Sequence, residues 1–85
     1  MKKFNYIIKD EVGMHARPAG LLVSLARNYK SKILIEVKGK VADATRLMSL
    51  MCLGAKSGDE VVVTIEGEDE DAACEAVKTF FLDNL

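Results

Sequence analysis

The 85 residues predict an α+β fold, a layer of helices packed on one face of a single sheet, and three observations lead there. Stretches in which apolar and polar residues alternate with period two are interspersed with stretches of helical period, in the order βαββαβα. Each helical stretch is apolar on one side only, so it needs a sheet face to cover that side. No linker, repeat or low-complexity tract interrupts the chain, so residues 1–85 are expected to form one domain.

Taken in order, Phe4, Tyr6 and Ile8 alternate with Asn5 and Ile7 in a first strand, and Asp10-Glu11-Val12-Gly13 leads into a turn. A helix is expected from Ala16 to about Asn28, because Ala19, Leu22, Val23 and Ala26 recur at helical spacing, leaving Arg17 and Arg27 in water. Ile33, Ile35 and Val37 alternate with Lys32, Leu34 and Glu36, after which Lys38-Gly39 turns the chain tightly into Lys40-Val41-Ala42. Asp43, Ala44 and Thr45 offer caps, Thr45 foremost, for a short helix from Arg46 to Leu53 that Gly54 ends. Ser57-Gly58-Asp59 then turns into Glu60–Glu66, the clearest strand, with Val61, Val63 and Ile65 on one side. Asp69, Glu70 and Asp71 match the dipole of a last helix and read as capping rather than a metal site; Ala73, Val77, Phe80 and Phe81 form its stripe.

Composition removes several functions. Twelve basic against thirteen acidic residues leave a net charge of −1, without the footprint of a nucleic-acid binder. Phe4–Lys9 is too short and polar for a signal peptide's apolar region and no stretch is a membrane span, so the expected location is the cytoplasm. Cys52 and Cys74 form no ligand pattern with the single histidine, so no metal is expected and both read as reduced core thiols.

That histidine, His15, lies in Gly13-Met14-His15-Ala16-Arg17-Pro18-Ala19-Gly20, where a turn ends and a helix begins. Backbone N–H groups in a helix's first turn lack intrahelical partners and favour a bound phosphate. A neutral imidazole keeps a lone pair for attack. The N–H groups of Ala16 and Arg17, with the Arg17 guanidinium, would hold the transferred phosphoryl oxygens, each charge-assisted bond contributing about 1.5–3 kcal/mol. Pro18 suits the first turn of a helix. Neither a P-loop nor a kinase glycine loop is present, so the phosphate must arrive on another phosphorylated protein and no cofactor is expected.

The segment Gly13-Met14-His15-Ala16-Arg17-Pro18-Ala19 resembles the active-site segment of the HPr family, the histidine-containing phosphocarriers of the bacterial sugar phosphotransferase system. Met51-Cys52-Leu53-Gly54 and Gly67-Glu68-Asp69-Glu70 also fall where that family has counterparts. Pattern alone leaves a ferredoxin-like arrangement open. The resemblance implies an antiparallel sheet ordered 1-4-2-3 with all three helices on one face. It further implies that His15 accepts a phosphoryl group, through Nδ1, from phosphorylated enzyme I and passes it to a histidine of a sugar-specific enzyme IIA domain. The carrier would be a monomer and not an enzyme in its own right.

The second helix holds more apolar residues than one inward stripe needs. With Leu50 and Leu53 facing in, Leu47, Met48 and Met51 remain as a polarizable patch suited to several partners. The resemblance makes this helix and the first one, through Arg17 and Gly20, the docking surface. One departure concerns regulation: where many HPr proteins carry a regulatory serine, Arg46 stands, with Thr45 before it and Ser49 after, so no phosphoserine role is carried over. Two other classes remain open from the residues: a non-catalytic regulatory module gripping an anion at the helix start, and a small hydrolase using His15 as base. The latter lacks an accompanying nucleophile or metal cluster, and Asp10 and Glu11 read as loop acids rather than partners of the ring.

Overall fold

A computed structural model describes residues 1–85, and its strands follow the alternation: β1 (Lys2–Ile7), β2 (Lys32–Val37), β3 (Lys40–Asp43) and β4 (Glu60–Glu66). They pair antiparallel throughout in the order β1-β4-β2-β3. Register places Phe4 opposite Val63, Val63 opposite Ile35, and Ile35 opposite Ala42, one row across all four strands on the covered face. Val61, Val63, Ile65 and Ile35 are completely buried there. The β2–β3 hairpin turns at Lys38 (φ 52°) and Gly39 (φ 82°), the pair of left-handed residues that a two-residue turn matched to the strand twist requires.

Three helices cover this face: α1 (Ala16–Ala26), α2 (Leu47–Cys52) and α3 (Glu70–Asn84). Leu22, Leu50, Val77 and Phe81 are completely buried beneath them. The Phe81 ring meets Phe4 and Tyr6 edge-on, with centroids 5.9 and 5.4 Å away, which ties α3 to the edge strand β1. Two bonds fix how α1 and α2 lie. Arg27 Nη2 at the end of α1 donates to the Thr45 carbonyl before α2 (3.1 Å), and Met14 N–H just before α1 donates to the Ala55 carbonyl after α2 (2.9 Å). The two helices therefore run in opposite directions, and α1 starts beside the end of α2.

Several sequence expectations need correction. The first helix stops at Ala26 rather than Asn28, its last N–H groups making i→i−3 bonds from Asn28 to Leu25 and from Tyr29 to Ala26. Thr45 is not the cap of α2. Its N–H and Oγ1 both donate to Asp43 Oδ1 (2.9 and 2.6 Å), closing an Asx turn that leaves Arg46 at the cap position without a side-chain bond. These bonds also hold the Asp43 carboxyl below its usual range. Cys52 is exposed, because a six-residue helix has room for Leu50 on its inner side and Cys52 turns outward; Cys74 is buried as expected. The Asp69 carboxylate reaches away from its own helix, accepting from Lys30 N–H (2.8 Å), Ser31 N–H (2.9 Å) and Ser31 Oγ, and so clamps the α1–β2 loop to the start of α3. Glu70 instead bonds the Gly67 N–H at 3.2 Å, while Asp71 pairs with Lys2 at 3.0 Å.

Candidate functional site

The turn before α1 is built by Asp10, whose Oδ2 accepts from Val12 N–H and Gly13 N–H, both at 3.1 Å. Asp10 thus braces the loop instead of orienting the histidine ring, and Glu11 is exposed. Gly13 has φ 77° and lies against the far segment: a Cβ there would run into the Ala55 carbonyl oxygen and come within 2.9 Å of Lys56 Cα. Lys9 and Asp10 N–H both donate to the Leu85 carbonyl, and Met14, only 5% exposed, inserts into the core. The loop is anchored on both sides before it reaches His15.

His15 is the cap residue of α1, with extended backbone (φ −120°, ψ −172°) and a side chain that makes no capping bond. Its carbonyl accepts from Ala19 N–H at 2.9 Å, which starts the helix, and the residue is half-buried, flanked by the buried Met14 and Pro18. The N–H groups of Ala16 and Arg17 have no acceptor within the chain, and Pro18 has no N–H to offer. Two free donors and the positive end of an eleven-residue helix consequently adjoin the imidazole. Arg17 is exposed and makes no ion pair, leaving its five donors available.

Gly20 lies one turn further along, half-buried. Because α1 starts beside the end of α2, the outer side of α2 is brought alongside: Leu47 is 40% and Met48 68% exposed, Met51 is half-buried, and Leu50 and Leu53 point inward. Leu21 on α1, an apolar residue not among those read from sequence, is also 47% exposed. Its signal was present: Leu21 falls outside the stripe of Ala19, Leu22, Val23 and Ala26.

The site has no pocket of its own. The two surface hollows, about 350 and 140 Å3, lie along β1 and α3, and none of their lining residues belongs to the histidine loop. No group of three His, Cys, Asp or Glu side chains is placed to hold a metal, and no helix is long and apolar enough to cross a membrane.

Known proteins share this fold and much of this sequence. Residues 2–83 match the family described as "PTS HPr component phosphorylation site". The phosphocarrier protein HPr of Mycoplasma genitalium is 40% identical over 79 residues, 92% of this chain and 90% of that protein. The solved histidine-containing phosphocarrier protein of Mycoplasma superposes with a TM-score of 0.93 at 36% identity, covering 96% of this chain and 93% of that one. An HPr dimer from Thermoanaerobacter tengcongensis gives 0.77 at 36% identity, covering 98% and 95%. Sequence, strand order and helix placement agree along nearly the whole length, and the chain belongs to the HPr family, the phosphocarriers of the phosphotransferase system.

Proposed function

We propose that His15 is the phosphoryl-carrying residue, that enzyme I is its donor and that enzyme IIA domains are its acceptors. The observation that carries this reading is the half-buried His15 at the cap of α1, its side chain free of any capping bond, beside the unbonded N–H groups of Ala16 and Arg17. A ring nitrogen of His15 attacks phosphorus as the N–P bond to the donor histidine breaks. The electron pair of that bond returns to the donor ring. The three phosphoryl oxygens then accept from Ala16 N–H, Arg17 N–H and the Arg17 guanidinium. Delivery to an enzyme IIA histidine reverses the sequence. The donors that hold the group are present before and after each transfer, so the carrier need not rearrange.

Arg17, Gly20, Leu47, Met48 and Met51 form the surface that both partners use in turn, with Leu21 added to it. Methionines suit two different partners because their unbranched side chains repack at little cost. Residues 1–85 work as one phosphocarrier unit, the monomer is the working form because His15 and its donors come from one chain, and the relay operates in the cytoplasm. The test is incubation with enzyme I, magnesium and phosphoenolpyruvate, followed by intact mass and acid lability. An acid-labile phosphoryl adduct should form on the native chain and be lost in His15→Ala; an adduct that survives this substitution would refute the assignment.

A further inference from the structure

The close approach that demands a glycine at position 13 also carries a lysine to the histidine loop. Gly13 packs so tightly on the segment after α2 that a Cβ there would stand 2.9 Å from Lys56 Cα, and Met14 N–H donates to the Ala55 carbonyl at 2.9 Å. Two such contacts keep the Cα atoms of Lys56 and His15 within about 11 Å of each other. A lysine stem spans about 6 Å, and an imidazole bearing a phosphoryl group extends about as far from its own Cα. The ammonium of residue 56 therefore reaches the phosphoryl oxygens of a phosphorylated His15.

Nothing else in the chain claims that ammonium. Lys56 is exposed and forms no ion pair. The carboxylates that flank the two segments are engaged: Asp10 Oδ2 holds the N–H groups of Val12 and Gly13, and Asp59 holds the Lys56 N–H (2.9 Å) and the Lys38 ammonium (3.4 Å). Glu11, exposed in the loop, pairs with no cation. Residues 12–35 and 44–58, which include both helices beside His15, contain no Asp or Glu at all.

We propose that Lys56 is a second cationic phosphate-binding residue, which holds the phosphoryl group on His15 together with Arg17; this rests on His15 being the carrier. A phosphorylated side chain bears a charge of roughly −1.5 to −2 near neutral pH. Arg17 and the start of α1 supply roughly +1.5 between them, and the Lys56 ammonium makes up the difference. Because the cation belongs to the carrier itself, it acts on the free phosphorylated chain as well as in complexes with donor and acceptor.

Inorganic phosphoramidate phosphorylates histidine chemically, so the full chain can be loaded without enzyme I and its phosphoryl group titrated by 31P NMR. An exposed ion pair changes an equilibrium about two- to fivefold, so in Lys56→Gln the group should titrate about 0.3–0.7 pH unit higher than in the native chain, the dianion having lost a cation. The transfer equilibrium with enzyme I should move about two- to fivefold against the carrier. Lys56→Arg keeps the charge and should restore both, and salt should narrow the difference. Lys3→Gln makes the same change of net charge at the far end of β1 and should alter neither. Circular dichroism verifies the fold of each variant. A phosphoryl group that titrates in Lys56→Gln as in the native chain, or that moves as far in Lys3→Gln, would overturn the inference and leave His15 as the carrier. Failure of the native His15 to take a phosphoryl group from either phosphoramidate or enzyme I would overturn the underlying reading, and the role of Lys56 with it.

Discussion

Gly13→Ala tests the positioning of the histidine loop most directly. Gly13 has φ 77°, and a side chain there costs about 1–2 kcal/mol from backbone conformation. Its Cβ would also strike the Ala55 carbonyl oxygen, which accepts the 2.9 Å bond from Met14 N–H. Moving that oxygen strands a buried donor, at about 1–3 kcal/mol. The smaller unfolded-state entropy of alanine returns about 0.4–1 kcal/mol, for a net loss of about 2–4 kcal/mol. An 85-residue chain unfolds with an entropy of about 180 cal/mol/K, so Tm should fall by roughly 10–20 °C. Gly39→Ala is the control: its φ is 82°, but a Cβ there meets nothing within 4 Å, so only the conformational cost applies, about 1 kcal/mol and 5 °C. Calorimetry on both variants, with hydrogen exchange at the Met14 amide, separates the two costs. Equal Tm values, or a Met14 amide as protected in Gly13→Ala as in the native chain, would refute the claim that close approach to Ala55 holds this loop.

Other expectations follow from the same geometry. Arg17→Glu should leave Tm within about 2–3 °C, since Arg17 is exposed and unpaired, yet slow phosphoryl exchange at least about tenfold; unchanged transfer kinetics would remove its role. Leu50→Ala should cost about 2–5 kcal/mol because that side chain is wholly buried, whereas Met48→Ala, at a position 68% exposed, should change stability by less than about 0.5 kcal/mol while weakening exchange with partners. Denaturation of both variants, with transfer assays, checks this division of labour between the two sides of α2. The Asp69 carboxyl is held below its usual range by the Ser31 hydroxyl first and the Lys30 N–H next. A lowered folded pKa contributes stability above the unfolded value, near 3.9, that is lost as pH falls through the folded value. The Tm gap between the native chain and Asp69→Asn should therefore be full at neutral pH and narrow below about pH 4; a gap independent of pH would contradict it.

Elements were legible because alternation and helical spacing are local consequences of which face meets the core. Val61, Val63 and Ile65, or Ala19, Leu22, Val23 and Ala26, announce their faces without reference to the rest of the chain. The cap of α2 is not legible in the sequence because Asp43 and Thr45 satisfy each other two residues apart, a competition between turn and cap that residue types alone leave undecided. The exposure of Cys52 is not legible either, because burial in so short a helix depends on what lies beneath it. Asp69 read as a cap, yet its partners Lys30 and Ser31 are 39 and 38 residues away.

The site divides in the same way. A lone imidazole at a helix start, two residues before a guanidinium and three before a proline, is written in consecutive residues, and so are the elements that flank it. Pairing of β1 with β4 and β4 with β2, and the antiparallel packing that brings the end of α2 beside His15, rest on contacts between residues far apart in the chain. Local patterns encode which way a side chain faces; only the closed fold settles what it faces, because strand pairing and loop closure balance the whole chain's energy rather than any one segment's.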